Sequence, residues 1–384
     1  MTNPQTPNPS NLPTSKPSNL QTFQPPNLPT SKPSNLPTYQ PTNLPTYQPT
    51  NLPTYQPTNP QTPKPSTMHI TFVIPVFKDW ESLALLIDNI ESIKFKEENI
   101  VSKNYVIVDD FSLLGNHASF LGHRKEKITI IELINNLGHQ KAITVGLCYA
   151  KDNCIDSDYV VVMDSDGEDN PADIPRMIEA ALELKSNILF ASRANRQEGF
   201  KFQLFYKFYK FLYRMLTGFH ISFGNFSVIT HALLTRIVFM PDIWLHYSAG
   251  IINAKIPIET LPVNRGKRYT GQSKMNFVGL INHGLSSIAV FSELVAIRIG
   301  IFSVLSVVTI GLIGILILSI KKLTAVAIPG WTSTVGLTLF IILIQLVSIG
   351  LLLSFITLSS KTMKKVIPYH IYKDFIFKIH THAK

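Results

Sequence analysis

Apolar runs and amphipathic stretches alternate through the middle of this chain. Residues 69–77 (HITFVIPVF) form an apolar run typical of a buried strand, residues 79–93 have helical periodicity, and residues 104–110 (NYVIVDD) form a second run. Continuous β-branched runs separated by amphipathic helices predict an α/β fold with a mostly parallel sheet and helices on both faces. The same pattern predicts further strands at 127–133, 158–166 and 187–193 and helices at 139–150 and 171–184.

Acidic residues follow three of these predicted strands. In parallel sheets ligands bind beyond the carboxyl ends of the strands, so we expect the acids to meet at one edge. For Asp109 alone a structural role is favoured, because a single aspartate at a strand end usually caps the next element. The five acids are Asp79, Asp109, Asp110, Asp164 and Asp166.

A cluster of three carboxylates follows the fourth predicted strand. Asp164 and Asp166 alternate around Ser165, so an extended strand would place both on one face, and Glu168 comes two residues later. Three carboxylates this close need a cation to relieve their repulsion, and ligands that are all oxygen suit Mg²⁺ or Mn²⁺. An EF-hand is excluded, because the glycine is at the fourth position and the twelfth is not glutamate.

Two long uncharged stretches lie in the last third of the chain. The 22 residues between Arg298 and Lys321 carry no charge and would rise about 33 Å as a helix, enough to cross a bilayer. A second stretch, residues 333–358, follows Pro329-Gly330-Trp331. We therefore predict a two-helix transmembrane hairpin within residues 296–360.

The distribution of basic residues predicts the orientation of this hairpin. Lysines follow the second stretch in the basic tail, residues 361–384, and Arg298 precedes the first stretch, which favours a cytoplasmic location for the α/β domain and for both termini. Lys321 and Lys322 in the connection weaken that inference. The expectation is an integral membrane protein, in a bacterial inner membrane. The tail lysines include Lys361, Lys364, Lys365, Lys373 and Lys378.

Two segments have the pattern of helices lying on a membrane surface. In residues 200–216 the cations Lys207, Lys210 and Arg214 fall in one narrow arc, while aromatic residues fill most of the remaining face. This favours an interfacial helix over a buried one. Residues 275–295 predict a second interfacial amphipathic helix that leads into the first span.

The first 67 residues differ in composition from the rest. They hold 18 of the 26 prolines and no glycine, and six consecutive octads run from Asn11 to Thr58. Such a segment is expected to be extended and disordered, as a spacer or a ligand for aromatic grooves. The alternative is that residues 1–67 are not translated in the native protein, which would then begin at Met68.

Six strings, in this order and spacing, resemble family 2 glycosyltransferases. They are VIPVF, IVDD, NLGHQKAITVGL, VVMDSD, ASR and RGKRYTGQSKM. The resemblance runs from Met68 to the C-terminus and is to the branch that transfers sugars to polyprenyl phosphates, such as dolichyl or undecaprenyl phosphate. It implies a GT-A, Rossmann-like catalytic domain at residues 68–274, followed by the hairpin.

The resemblance also implies roles for particular residues. The nucleotide of a nucleotide-sugar donor would be held by Pro75, Phe77, Asp79, Asp109, Asp110 and Asp164. The metal would be bound by Asp164, Asp166 and Glu168. The catalytic set would be Asp166, Arg193, Arg265, Arg268 and Lys274, in which the cations meet the acceptor phosphate or the donor diphosphate.

Three positions depart from the usual pattern of that family. Phe111-Ser112 replaces Gly-Ser after the aspartate pair, Glu168 replaces glutamine, and Asn225 stands where many relatives carry aspartate. No general base is needed, because a phosphate monoester with a second pKa of about 6 is already ionised at neutral pH. His139 is favoured as a capping or packing residue, with substrate contact as the alternative.

The expected activity is inverting transfer of one sugar to polyprenyl phosphate. A processive polysaccharide synthase is a rival reading, although the Gln-x-x-Arg-Trp motif of those enzymes is missing from the sequence. A non-catalytic membrane scaffold is another. The net charge of +10 does not lead us to expect a nucleic-acid partner, because the cations cluster beside the spans and the strand-end site. The identity of the sugar, the choice between uridine and guanosine donors, and a homo-oligomeric state stay open.

Overall fold

The computed structural model describes most of the chain after Met68. The described residues are 68–95, 100–113, 117–122, 124, 126–185, 187–193, 200–219, 223–271, 277–323, 330–362 and 365–381. The repeat predicted to be disordered, residues 1–67, lies outside these ranges, as does Lys274.

The described residues contain one eight-stranded mixed sheet, whose spatial order is β7-β5-β6-β4-β1-β2-β3-β8. The pairs β1·β2, β1·β4, β2·β3 and β5·β7 are parallel, while β4·β6, β5·β6 and β3·β8 are antiparallel. The strands are β1 (Met68–Val76), β2 (Ile100–Asp109), β3 (Lys127–Leu133), β4 (Tyr159–Val162), β5 (Ile188–Arg193), β6 (Phe223–Thr230), β7 (Glu259–Val263) and β8 (Ile376–Thr381).

Helices cover both faces of this sheet, which confirms the predicted fold class. One core layer lies under α1 and α4, and the other lies under α3, α6 and α7. Gly146 lets α3 approach the sheet, since a Cβ there would collide with Val73 and Val108. The helices are α1 (Trp80–Ser92), α2 (His117–Gly122), α3 (His139–Asn153), α4 (Ile174–Glu183), α5 (Phe200–Thr217), α6 (His231–Ile237), α7 (Tyr247–Asn253), α8 (Phe277–Ala289), α9 (Ser292–Leu323), α10 (Trp331–Thr362) and α11 (Pro368–Ile371).

The C-terminal residues are not simply a basic tail. We expected residues 361–384 to form one, but β8 pairs antiparallel with β3 and completes that edge of the sheet. The segment before β8 is also anchored, because the hydroxyls of Tyr369 and Tyr372 donate to Asp152 at 2.7 and 2.6 Å. The ammonium group of Lys151 lies 3.7 Å from the centre of the Tyr369 ring. The chain therefore returns to the eight-stranded sheet after the two long helices.

Replacing Tyr372 by phenylalanine should destabilise the protein by about 1–2 kcal/mol, because the Asp152 carboxylate, which is 20% exposed, loses one of its two tyrosine donors. The Tyr372 side chain is 1% exposed, so water does not readily replace the lost hydroxyl. Thermal unfolding in detergent would measure the effect. An unchanged melting temperature would mean that this anchor does not stabilise the fold.

The two predicted spans lie within two long helices. Ser292–Leu323 and Trp331–Ile356 are long and apolar enough to cross a membrane. Most of their large apolar side chains are exposed, for example Leu312 at 63% and Leu351 at 67%. A helix in the core of a soluble protein would bury such side chains. The two helices therefore expose a large apolar surface, which is typical of contact with a membrane or another protein.

Helices α5 and α8 pack against each other beside the start of α9. Gly284 on α8 lies against the ring of Tyr209, and the Ser287 hydroxyl donates to the Tyr213 hydroxyl at 3.3 Å. Arg298 on α9 donates to the last carbonyls of α5, at Arg214 and Met215. These contacts join the two predicted interfacial helices to the first long helix.

Candidate active site

The turns that follow β1 and β2 are tied to each other. Lys78, which has a positive φ of 52°, donates its backbone N–H to the Ser112 hydroxyl at 2.9 Å. The carboxylate of Asp109 accepts the backbone N–H of Ser112 at 3.0 Å. Asp109 therefore has the structural role that the sequence favoured for it. The unusual Phe111-Ser112 pair forms part of this turn, with Phe111 at a φ of 65°.

Asp110 joins the end of β2 to the start of α3. Its two carboxylate oxygens accept the backbone N–H groups of Leu137 and Gly138 at 2.7 and 3.0 Å. Burial raises the pKa of Asp110, while these two hydrogen bonds oppose that shift. Because both oxygens are occupied, the side chain of Asp110 fixes the position of the residue that follows, His139.

His139 lies among the strand-end acids rather than in an isolated packing position. Its Nε2 is 3.1 Å from the Asp164 carboxylate and 3.1 Å from the amide nitrogen of Asn225. Burial alone would lower the pKa of His139, but the nearby carboxylates of Asp164, Asp169 and Asp110 outweigh burial and raise it. Asp164 therefore favours the protonated form of His139, and contact with a substrate stays a prediction.

The acids after β4 lie in a turn and not on a strand. We expected a strand over residues 158–166, but β4 ends at Val162, so the argument that alternation places Asp164 and Asp166 on one face is wrong. Gly167, with a φ of 84°, reverses the chain, and the Glu168 N–H donates to Asp166 at 2.9 Å. The turn is shaped by these local hydrogen bonds instead of by strand pairing.

A loop after β7, which we name the 264–271 strap, closes over this turn. The N–H of Gly266 donates to the carbonyl of Glu168 at 2.8 Å, and the N–H of Tyr269 donates to the carbonyl of Asp166 at 3.0 Å. The Tyr269 ring packs directly on Gly167, where a Cβ would collide with it. Two backbone hydrogen bonds and one ring contact therefore hold the strap on the acidic turn.

Two arginines of the strap pair with the predicted site acids. Arg268 contacts Asp79 and, at 2.8 Å, Asp166, so it bridges the ends of β1 and β4. The Nε of Arg265 donates to Glu168 at 3.0 Å. The predicted cations and carboxylates thus form adjacent ion pairs at the carboxyl edge.

Four other predicted residues have less defined roles. Pro75 is buried in β1, and the half-buried Phe77 follows that strand, with the Lys78 ammonium 5.1 Å from its ring centre. Arg193 ends β5 at the same edge, and its side chain is not described. Lys274 lies outside the described residues. Their contacts with substrate stay predictions.

A family model decides what kind of domain carries this site. Residues 71–239 match the model of Glycosyl transferase family 2. This chain contains a glycosyl transferase family 2 domain. The matched residues run from β1 through α6, so they include every strand-end acid described above. The two strap arginines and the long helices lie beyond the match.

Relatives of this chain include proteins named as undecaprenyl-phosphate sugar transferases. An undecaprenyl-phosphate 4-deoxy-4-formamido-L-arabinose transferase of Aeromonas hydrophila is 25% identical over 302 residues, which cover 74% of this chain and 85% of that protein. The Enterobacter sp. enzyme of the same name is 26% identical over 252 residues, covering 59% of this chain and 72% of that protein. The predicted resemblance to the polyprenyl-phosphate branch is confirmed.

Two solved structures are similar to this chain at low identity. A mannosyl-3-phosphoglycerate synthase from Rubrobacter xylanophilus has a TM-score of 0.43 at 13% identity, covering 68% of this chain and 78% of that chain. A glucosyl-3-phosphoglycerate synthase from Mycobacterium tuberculosis, crystallised with Mn²⁺, UDP-glucose and phosphoglyceric acid, has a TM-score of 0.43 at 13% identity, covering 59% and 80%.

The Asp166 carboxylate in the acidic turn is destabilised even though it is paired with Arg268. Burial raises the pKa of Asp166 to about 6, and the neighbouring Asp164 and Glu168 carboxylates add to the shift despite the contact with Arg268. A divalent cation would relieve this, and the carboxylate donors suit Mg²⁺ or Mn²⁺. Among the described residues, no three acidic, histidine or cysteine side chains converge as a ready-made metal site. Glu168 instead faces Arg265, so the three-ligand set stays a prediction for the donor-bound protein.

Replacing Asp166 by asparagine should stabilise the metal-free protein at neutral pH. A carboxyl pKa raised from 3.8 to about 6 means that the folded state holds the proton more tightly, so stability falls as pH rises from about 4 to 6. The variant should gain about 3 kcal/mol at pH 7.5 and almost nothing below pH 4. Thermal unfolding with chelator at both pH values would show this. An equal effect at both values would contradict it.

Proposed function

We propose that this protein transfers a single sugar from a nucleotide-sugar to polyprenyl phosphate at the cytoplasmic face of a membrane, with inversion at the anomeric carbon. The observation that carries the proposal is the contact of Arg268 with Asp79 and Asp166, on a strap that leads into α8 and α9. Acids suited to a metal-bound diphosphate and cations suited to phosphate thus meet beside the helices that would enter the bilayer.

The donor would bind across the carboxyl ends of β1, β2 and β4. The half-buried ring of Phe77 offers an apolar surface for a nucleobase, and Asp79 and Asp164 offer acceptors for the ribose and base. Pro75, Asp109 and Asp110 would shape this pocket rather than touch the nucleotide, because both carboxylates already hold backbone N–H groups. This assignment divides the predicted nucleotide set into contacting and supporting residues.

A divalent cation would be held by Asp164 and Asp166, with Glu168 joining once Arg265 turns to phosphate. When bound, the cation would neutralise charge on the donor diphosphate. Arg265 and Arg268 are already within reach of the same carboxylates. Since guanidinium groups bind phosphate oxygens in pairs, the arginines would exchange a carboxylate partner for phosphate when the donor arrives.

The reaction needs no protein base. A phosphate oxygen of the acceptor would attack the anomeric carbon with its own lone pair and form the new carbon–oxygen bond on the face opposite the leaving group. The bond to the diphosphate breaks, and its electron pair stays on the β-phosphate oxygen of the departing nucleoside diphosphate. Arg193, Arg265, Arg268 and Lys274 would stabilise that charge, so catalysis rests on positioning and electrostatics.

The lipid acceptor would be presented by the membrane-facing part of the molecule. Helices α9 and α10 would span the bilayer, with α5 and α8 on its surface; Lys207, Phe211 and Arg214 of α5 are exposed. The pairing of β8 with β3 supports a hairpin, because two crossings return the chain to the side of the catalytic sheet. The basic residues flanking the hairpin favour the cytoplasmic side.

A donor screen with product analysis tests this function. Membranes that contain the protein would be incubated with Mg²⁺ or Mn²⁺, undecaprenyl phosphate and a panel of UDP- and GDP-sugars. The molecular mass of the lipid product would be measured by mass spectrometry. The proposal expects one sugar per lipid and an inverted anomeric linkage by NMR. A ladder of masses would favour a processive synthase, and no product with any donor would favour a scaffold.

A further inference from the structure

Two histidines meet where α8 packs on the catalytic domain. His246, which precedes α7, and His283 on α8 have their Nε2 atoms 3.3 Å apart and their ring centres 4.6 Å apart. His246 is only 5% exposed, whereas His283 is half-buried. The pair therefore forms a polar contact between the predicted interfacial helix and the core of the glycosyltransferase domain.

The protonation state of His246 determines which of the two histidines donates the hydrogen bond. Its Nδ1 accepts the N–H of Ala249 at 3.4 Å as the cap of α7, so Nδ1 carries no proton. Burial, with His283 and His139 nearby, lowers the pKa of His246 to about 3, so the ring is neutral at ordinary pH. Its one proton must then lie on Nε2 and be donated to Nε2 of His283. His283 acts as the acceptor.

The same loop is connected to the acidic turn by side-chain hydrogen bonds. The backbone N–H of Tyr247, next to His246, donates to Gln140 at 2.7 Å, and Gln140 donates to Asn225 at 3.3 Å. Asn225 lies 3.1 Å from His139, which in turn lies 3.1 Å from Asp164. A continuous set of polar contacts thus runs from α8 to the end of β4.

At its other end, α8 is joined almost directly to the first long helix. Only Val290 and Phe291 separate α8 from α9, and both are buried in a small cluster with Tyr213. The position of α8 on the catalytic domain therefore fixes the height of the donor site above the start of α9. If α8 moved by about one ångström, an acceptor phosphate held near the start of α9 would move by a similar distance relative to the donor site.

We propose that His283 is a positioning residue, whose acceptance of the His246 proton holds α8 so that the lipid phosphate lies within reach of the donor sugar. This inference rests on the proposed function. It predicts an asymmetric defect when the contact is lost: transfer to the lipid should slow, while the binding of the nucleotide-sugar should not change. The reason is that small misplacement of a reacting group costs rate even when the other site is intact.

A series of variants at His283 tests the proposal. His283→Gln keeps an oxygen that can accept the His246 proton and should retain transfer within about threefold. His283→Leu leaves a buried donor without a partner and should lower kcat for undecaprenyl phosphate in vesicles about tenfold, with an unchanged KM for the sugar nucleotide. Asn282→Leu, a polar-to-leucine change at the exposed neighbouring position, is the matched control and should behave as wild type.

Hydrogen exchange of residues 277–289 gives a readout that does not depend on activity. His283→Leu should speed exchange in α8, whereas His283→Gln and Asn282→Leu should not. Unchanged exchange in His283→Leu would overturn the link, and faster exchange with unchanged kcat would overturn the positioning role. A wild-type protein that transfers no sugar would overturn the proposed function, and this inference with it, even if the exchange result is as expected.

Discussion

Asp166→Asn is expected to lower sugar transfer to undecaprenyl phosphate by about a thousandfold, although the protein remains folded. The carboxylate lies in the turn after β4 and contacts Arg268, and burial together with the neighbouring Asp164 and Glu168 carboxylates raises its pKa. Loss of one charged ligand removes much of the stabilisation of a departing diphosphate. The measurement is the initial rate of labelled lipid formation at saturating donor, with Mn²⁺ varied.

The matched control for this substitution is Asp173→Asn. Asp173 is also an acid whose pKa is raised by burial, but it lies at the start of α4 and faces Arg176. It should keep transfer within about threefold of wild type. If Asp166→Asn kept more than about a tenth of the wild-type rate, with the same dependence on Mn²⁺, the assignment of Asp166 to the metal would be wrong.

Arg268→Ala should give the second largest loss, about a hundredfold to a thousandfold in kcat. Arg268 is the cation that bridges Asp79 and Asp166, and the proposal moves it to phosphate when the donor binds. Arg268→Lys should recover only part of the rate, because an ammonium group cannot bind two phosphate oxygens in the same plane. Steady-state kinetics with the donor found in the panel would measure both variants.

Lys267→Ala is the control within the same strap. Lys267 is exposed and adjacent to Arg268 in sequence, so it tests whether any loss of positive charge from the strap slows transfer. Its rate should stay within about threefold of wild type at physiological salt, because exposed charges are screened. Equal losses of rate in the two alanine variants would show that Arg268 acts only through the net positive charge of the strap.

Most of the catalytic sheet could be predicted from hydrophobic pattern. The strand at residues 127–133 was predicted at its observed bounds. Its short run of β-branched residues lies between charged segments, which is typical of a buried strand. The fourth strand was predicted too long, because Met163 continues the apolar run although pairing of β4 stops at Val162. Local pattern does not reveal where a neighbouring strand ends.

Strands β6, β7 and β8 were not predicted from the sequence, and the reasons for β6 and β8 differ. β6 (FGNFSVIT) begins with glycine and asparagine, so its apolar half is too short to stand out. β8 (IFKIHT) lies among lysines and histidines that suggested a solvated tail. Its position follows from pairing with β3 and from the anchoring of Tyr372 on Asp152, and contacts between residues this distant in sequence leave no local signal.

The chemistry of the site was easier to predict than its geometry. The rule that ligands bind at the carboxyl edge placed Asp79, Asp110 and Asp166 together correctly, since it depends only on strand order. Two features of the site depend on turns with positive φ and on the strap. These are the hydrogen bonds from backbone N–H groups to Asp110 and the ion pair between Glu168 and Arg265. The pairing of His246 with His283 joins segments without a shared motif and was not predicted.

The central claim is that a lipid phosphate receives the sugar. The most direct test incubates the protein in vesicles with Mn²⁺ and the labelled donor selected by the panel, and compares undecaprenyl phosphate, undecaprenol and no added acceptor. We predict label in the lipid fraction only with undecaprenyl phosphate, and none after a chelator is added. Equal labelling with undecaprenol, or labelling that does not depend on added lipid, would contradict the account.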